Sequence, residues 1–457
     1  MTAIGSNGYL DDIPYLRAFF PYLTPAWLDH VALISGYAPP ERAHGFAYCD
    51  LGCGQGVTAG MLAAMHPRGT FCGIDISPTH IDHARKLAAD AEIPNASFHC
   101  ADFATELALP MFDYIVAHGV YTWVSTAAQD ALRRFVDRHL KPGGLVFLSY
   151  NAMPGWAADL PFQHLLHALG TTVSGDSVAR YRGAIKIVGN LLAAGVPALK
   201  ASPILKELTE RPESFPEAYL AHEFMVAAWR PLWFTEVRAA MASIGLEPAG
   251  SAALIDNYDT FVLGESARRT LDGIADDTAR ELVREFFVSQ RFRRDVYVRK
   301  AITVDEDEQR RRLMGCTYAL ARPAGLIEYA VTSPAGHVSF DNAAARKAVG
   351  ELAHGPRRLA DIARGSGIET QDLLANMLVL CAAGAARPVE AESLPVTTLN
   401  RAILSRLDGA EPIEDFALRC GTALRLDRTL FDQIRSGRGI DPVQFAGWQE
   451  FLAGHGC

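Results

Sequence analysis

The sequence predicts an α/β protein: a doubly wound, mostly parallel sheet first, then a helical middle domain, then a mixed α/β carboxyl-terminal region with a winged-helix-like part. Three observations predict it. Between residues 46 and 151, apolar strand-like runs alternate with helix-like repeats, the pattern of right-handed βαβ crossovers. The first run ends in a glycine cluster that opens a helix. An acid stands at the end of each of the first three strands, the edge at which open parallel sheets bind their ligands.

Each element has a local reason. Phe46–Leu51 is an apolar run stopped by glycines, and Val57–Met65 follows as a helix. Thr70–Ile76 is the second strand. Ser77 is an N-cap and Pro78 an N1 residue for the next helix, in which Ile81, Ala84, Leu87 and Ala88 share one face. Ser97–His99 and Phe112–Ala117 are the third and fourth strands. Ala127–Leu140 is helical until Lys141-Pro-Gly-Gly144 breaks it, and Leu145–Tyr150 is the fifth strand. Residues 160–300 read as mainly helical, interrupted at Pro197, Pro203, Pro212, Pro216 and Pro231, with Leu220–Ala228 and Phe234–Ser243 the clearest helices. Residues 316–341 carry a hairpin signal with a turn at Ser333-Pro-Ala-Gly336. Residues 343–390 follow a winged-helix order, and the last sixty read as amphipathic helix. The domains expected are 1–165 with an amino-terminal lid, 166–300, and 301–457.

Composition excludes whole classes. Of 457 residues 49% are hydrophobic and 21% charged, which rules out a disordered chain, a rod or a collagen. Lys and Arg total 43 against 52 Asp and Glu, a net charge of −9, so recognition of nucleic acid through phosphates is not expected. Met1–Leu10 lacks the basic and apolar regions of a signal peptide, and no apolar run is long enough to span a membrane. The cysteines at 49, 53, 72, 100, 316, 381, 420 and 457 show no zinc spacing. They read as thiols of a reducing cytoplasm, and no metal site is expected.

The strongest chemical signal is Asp50-Leu-Gly52-Cys-Gly54-Gln-Gly56. Glycines there take positive φ and let the backbone approach a ligand. A dinucleotide fingerprint would be G-x-G-x-x-G, but here the third glycine comes one residue early. Asp75 follows nineteen residues after Gly56, where an acid accepts ribose hydroxyls, and Asp102 stands after the third strand. Three carboxylates suit a cationic, adenosine-containing ligand and suit a pyrophosphate poorly.

These residues resemble those of the class I S-adenosylmethionine-dependent methyltransferases, whose sheet is Rossmann-like. The resemblance implies S-adenosyl-L-methionine as cofactor, with S-adenosyl-L-homocysteine as product. Asp50, Gly52, Gly54 and Gly56 would lie at its methionine part and Asp75 at the ribose hydroxyls. Asp102 would take the adenine amino group, with Ile76 and Phe103 flanking the ring and Ala117 and His118 alongside. Ala117-His-Gly-Val-Tyr-Thr-Trp-Val124 and Ser149-Tyr-Asn-Ala-Met-Pro-Gly-Trp156 resemble segments of bacterial methyltransferases that carry an appended methyltransferase regulatory domain. Tyr219–Phe224, Trp233–Val237 and Gln290–Asp295 resemble that domain itself. Some members of that group methylate protein lysines, which implies a protein substrate, a lysine acceptor and no membrane insertion; a homodimer is an assembly the reading allows.

Methyl transfer from a sulfonium asks the protein for placement and a dry pocket, and a lysine nucleophile must lose a proton first. Tyr121 and Tyr150 are the expected positioning residues, Asn151 an acceptor, and His118 either a cofactor contact or a proton relay. Trp123 and Trp156 would guide an amine by cation–π contact. His222 and Glu223 either line the substrate channel or form a packed pair. Arg291, Arg293 and Arg294 either meet an acidic substrate segment or pair with local acids. The strings of DNA amino-methylating and cytosine-C5 enzymes are absent, as is G-x-S-x-G. The helix Gln371–Cys381 is too poor in Arg and Lys to read DNA. The expected activity is N-methylation of protein lysines. A small-molecule N- or O-methyltransferase and a non-catalytic cofactor-binding scaffold are the alternatives.

Overall fold

The computed structural model describes residues 12–13, 17–211, 215–333, 335–391, 396–406, 413–426 and 428–454. The expectations for Met1–Leu10, Pro212, Pro334 and Cys457 lie outside them. The central sheet has eight strands: β1 (Ala47–Leu51), β2 (Thr70–Asp75), β3 (Ala96–Cys100), β4 (Phe112–Ala117), β5 (Leu140–Met153), β6 (Leu232–Trp233), β7 (Leu246–Ser251) and β8 (Phe292–Arg299). Their order is β3-β2-β1-β4-β5-β8-β7, with β6 paired to the end of β5. The first five are parallel, and β8 runs antiparallel between β5 and β7. The strand order reverses between β1 and β4, the switch point at which such sheets bind ligands.

Helix α1 (Pro25–Ile34) precedes the sheet, and α2 (Val57–Met65), α3 (Pro78–Asp90) and α4 (Thr126–His139) connect its strands. Caps fix where they begin. Thr24, Ser77 and Ser125 each accept from the backbone amide three residues on, and proline follows the first two at N1. Gly56 starts α2 with φ +70°, a conformation that only glycine takes without strain. Its missing side chain also makes room, because a Cβ there would lie 2.5 Å from Ala84 Cβ and 2.7 Å from the Phe98 ring.

Side chains alternate across a strand, and the sheet divides its core accordingly. Tyr48, Tyr114, Val116 and Phe147 join a core with α1, α2 and α3, and that core continues into Tyr318, Leu352, Leu373 and Phe451. Cys49, Ile115, Leu148 and Tyr150 face the other way, onto Leu132, Phe135, Val237 and Met241. A third core gathers Phe162, Leu166, Tyr181, Val188, Leu220 and Phe224 around Trp123 and Trp156, so the middle segment closes over the strand ends. Its α5 (Leu160–Gly170) and α6 (Ser177–Ala193) pack together.

The segment expected to be mainly helical is mostly so, and it also supplies β6, β7 and β8, which the sequence reading lacks. Beyond it, Thr317–Leu320 pairs with Arg357–Arg358 and Ala386–Val389, framing helices 343–352, 359–363 and 370–382 in the winged-helix order. The hairpin expected at 316–341 is confined to Ala330–Ser333 and Gly336–Ser339. The last sixty residues, read as helix, contain a hairpin of Asp415–Leu418 and Thr422–Arg425. No helix among the described residues is long and apolar enough to cross a membrane.

Candidate functional site

The loop after β1 turns back under the ends of β1 and β2. Gly52, Gly54 and Gly56 all have positive φ, between +52° and +72°. A Cβ on Gly52 would stand 2.3 Å from Val120 Cγ2, whereas one on Gly54 would meet nothing within 4 Å. The middle glycine thus presents bare backbone to a cavity lined by Gly52, Gly54, Asp75, Ile76, Asp102, Phe103, His118, Gly119 and Val120. Asp75 braces the loop: its Oδ2 accepts from Gly54 N (2.9 Å) and its Oδ1 from Ser77 N (2.9 Å), with His80 Nδ1 at 3.2 Å. Asp102 Oδ1 accepts from Ala104 N at 2.8 Å.

Asp50 is buried, and none of the described residues donates a hydrogen bond to its carboxylate. Burial first, and the charge of Asp75 second, push its carboxyl up to about 7. Two neighbouring buried carboxylates, of which Asp50 has no ion-pair partner among the described residues, suit a positively charged ligand. This donor set therefore fits S-adenosylmethionine, which carries an ammonium and a sulfonium. Asp50 would hold the charged methionine end, Asp75 and Asp102 the ribose and adenine, and Ile76 and Phe103 the ring. Gly56 serves the helix start and Ala117 ends β4; neither lines the cavity, and Asp50 lies buried behind the lining, two residues before Gly52.

A second cavity of about 540 Å³ opens beside the first. The two share His118 and Gly119. Its walls include Phe20, Tyr22, Trp123, Asn151, Trp156, Tyr219, Glu223, Arg291, Phe292 and Arg294. His118 Nδ1 lies 2.8 Å from Ser149 Oγ, which also accepts from Gly119 N at 2.9 Å, and His118 Nε2 lies 3.0 Å from the Tyr22 hydroxyl. Burial, aided by Arg294, drives the imidazole pKa down to about 3, so the ring is neutral. It donates through one nitrogen and accepts through the other. Burial also raises the Tyr22 phenol to about 12 against the pull of Arg294, so Tyr22 keeps its proton.

Asn151 donates from Nδ2 to Glu223 Oε1 (2.7 Å), and Trp229 Nε1 donates to the same oxygen (3.0 Å). Burial pushes the Glu223 carboxyl up to about 7, while these two bonds and Arg291 oppose the rise. Arg291 lies over the Trp156 ring at 4.0 Å and pairs with Asp159. Arg294 sits over Tyr22 at 4.8 Å and Phe292 at 5.2 Å.

Two expected positioning residues stand elsewhere. Tyr150 is fully buried on the opposite face of β5 and donates to Asp295 Oδ2 at 2.7 Å. The period of two explains it: Ser149 and Asn151 face the cavity side, so Tyr150 cannot. Tyr121 is buried in that same far core, where its hydroxyl meets Arg133, and the turn after β4 gives the cavity to Trp123 instead. His222 is buried beside Glu223 and does not line the cavity. Arg291 and Arg293 pair with Asp159, Glu281, Glu285 and Asp295, so the local-acid reading holds for them. Tyr22, Ser149, Tyr219 and Phe292 are wall or relay residues that the sequence reading passed over. Tyr22 lies ninety-six residues before its partner His118, and no local spacing marks it.

Residues 49–144 match the model of the methyltransferase domain, and residues 216–299 match that of the predicted methyltransferase regulatory domain. The chain is 31% identical over 394 residues to uncharacterized protein sll1526 of Synechocystis sp., covering 85% of this chain and 78% of that protein. It is 34% identical over 95 residues to the trans-aconitate 2-methyltransferase of Methylobacterium nodulans, covering 21% of this chain and 34% of that enzyme. Its fold is similar to that of PKMT2 from Rickettsia typhi, solved in complex with AdoHcy, with TM-score 0.70, 19% identity, and 96% and 97% of the two chains covered. The chain is an enzyme, which sets aside the scaffold alternative. It belongs to the class I S-adenosylmethionine-dependent methyltransferases that carry an appended methyltransferase regulatory domain.

Proposed function

We propose that the chain N-methylates lysine side chains of a protein substrate, working in the cytoplasm. The observation that carries this reading is the aromatic-walled cavity that meets the cofactor cavity at His118 and Gly119 and holds a carboxylate at Glu223. Aromatic faces attract an alkylammonium; Arg291 and Arg294 already cover Trp156, Tyr22 and Phe292, so that role falls to Trp123 and Tyr219, and a buried acid orients the amine. The bound cofactor supplies an electrophilic methyl group. Tyr22 and His118 close the junction against water, and Asn151 fixes the acid. Trp123 and Trp156 line the way in. Asp50, Asp75 and Asp102 hold the cofactor. The division at 1–165, 166–300 and 301–457 then assigns transfer to the first part and acceptor selection to the others. The small-molecule alternative has less behind it: the trans-aconitate 2-methyltransferase of Methylobacterium nodulans aligns with only 21% of this chain. Nucleic acid is not an acceptor in this reading: Arg346, Lys347 and Arg358 of the winged-helix-like part pair with Asp341, Glu351 and Asp361.

The test is transfer of a tritiated methyl group from the cofactor into a lysate of the source cells. Label in protein that maps to lysine side chains is the expected result. Label confined to small molecules contradicts it.

A further inference from the structure

Methyl transfer to a lysine requires something to remove the ammonium proton, and the cofactor cannot. A group that does so must touch the cavity, hold its position and keep an open acceptor. Among the ionisable groups on the cavity wall, most are already committed. Arg291 is paired with Asp159, and Glu207 is half exposed and paired with Arg211 at 3.2 Å. His118 has both ring nitrogens in hydrogen bonds, to Ser149 and Tyr22. Arg294 is a cation stacked on Tyr22 and Phe292, and Tyr22 and Tyr219 are phenols held protonated by burial.

Glu223 differs from all of these. It is 5% exposed and lines the cavity. Its Oε1 takes both donors, from Asn151 and Trp229, which lock the carboxylate plane from two elements. Its Oε2 has no hydrogen-bond partner among the described residues. We infer that Glu223 is the catalytic base, its Oε2 accepting a proton from the substrate ammonium, with Asn151 and Trp229 as positioning residues. The inference rests on the lysine reading above.

The proton balance is simple. An N–H bond of the ammonium breaks, an O–H bond forms on Glu223, and a neutral amine faces a neutral carboxylic acid. The amine lone pair then forms the new N–C bond while the S–C bonding electrons leave with sulfur. The product is a methylammonium, and Glu223 returns its proton to solvent. Burial has already brought the carboxyl up to about 7, which suits a base working near neutral pH. The groups facing it that bear on its titration are Arg291 and Tyr219.

The test compares the full-length enzyme with E223Q and E223D on the labelled protein substrate across pH. E223Q keeps an oxygen for Asn151 and Trp229 but has no base. Its kcat should fall by roughly 100-fold or more, with KM changed little. The acid limb of the wild-type profile near pH 7 should vanish, and activity should rise instead toward the ordinary lysine pKa of about 10.4. E223D should recover part of the rate and keep an acid limb. Calorimetric affinity for S-adenosylmethionine, whose cavity Glu223 does not line, should match wild type in both variants and shows that they are folded. If E223Q loses that affinity, the comparison passes to E223D, whose loss of the acid limb would overturn the inference. An E223Q enzyme with wild-type rate and wild-type pH profile overturns it directly. If the wild type labels lysine and E223Q does so equally, this inference alone fails; if the wild type never labels lysine, the reading beneath it fails.

Discussion

Asp50 concentrates the electrostatic logic of the site. Its carboxyl is raised to about 7 by burial and by Asp75, so near neutral pH it is only partly ionised. A cationic ligand favours the ionised form, so binding releases a proton and affinity should rise with pH through about 7. Below that value each pH unit should weaken binding by up to about tenfold. Calorimetry in buffers of different ionisation enthalpy should detect the released proton. Asp50→Asn should bind the cofactor at least about tenfold more weakly, with an affinity flat across the same range. A pH-dependent affinity in that variant would remove Asp50 from the account. At Gly52 the constraint is steric. Gly52→Ala puts a Cβ 2.3 Å from Val120 at φ +72°, so it should abolish cofactor binding in the same titration.

At the scale of the element, β5 shows how alternation assigns work. Ser149 and Asn151 serve the cavity while Tyr150 between them is tied to Asp295 behind the sheet. Tyr150→Phe should lower stability by about 1 kcal/mol in chemical denaturation and leave methyl transfer near wild type. Asn151→Ala should do the reverse, lowering kcat and sparing the cofactor affinity. Equal loss of activity in both would contradict the assignment of faces. The strands β1, β2, β4 and β5 were legible as apolar runs, and the short β3 by its place between α3 and Asp102; β5 extends beyond the run Leu145–Tyr150 at both ends. Strands β7 and β8 were not legible, because LEPAGS contains proline and glycine and FRRDVYVR puts three charged residues ahead of the buried Val296, Tyr297 and Val298. Arg293 and Asp295 sit inside by pairing with each other and with Glu281 and Glu285, a compensation that spacing along the chain does not reveal. The glycines and acids that line the first cavity, Gly52, Gly54, Asp75 and Asp102, were legible for the converse reason, since they lie within sixty residues and at strand ends. The second cavity was half legible: Trp123, Asn151, Trp156 and Glu223 reach it, whereas Tyr22 and Arg294 arrive from opposite ends of the sheet domain.

Across the whole molecule, the segment ahead of the sheet is tied to the carboxyl-terminal region. Arg42 bridges Asp29 of α1 (2.8 Å) and Glu390 of the carboxyl-terminal region (2.7 Å), and Tyr114 of β4 donates to Asp29 at 2.6 Å. Burial holds the Asp29 carboxyl up at about 6 despite Arg42. Arg42→Met would leave an ionised Asp29 uncompensated above that pH, costing about 3 kcal/mol. At about pH 5 the acid is mostly protonated and most of the loss should disappear. Denaturant melts at the two pH values check this; an equal loss at both would mean that packing or the pair with Glu390, not the charge of Asp29, is what Arg42 serves. The shared core from Tyr48 to Phe451 gives the carboxyl-terminal region a structural stake in the sheet that opens onto both cavities.

The central claim, that the aromatic cavity delivers a lysine amine to the methyl group, is tested most directly by mapping where the methyl lands. Peptide mass spectrometry of acceptors labelled in lysate by the full-length enzyme should place the added methyl groups on lysine side-chain nitrogens. Methyl groups on carboxylates, on hydroxyls or on small molecules alone would contradict it.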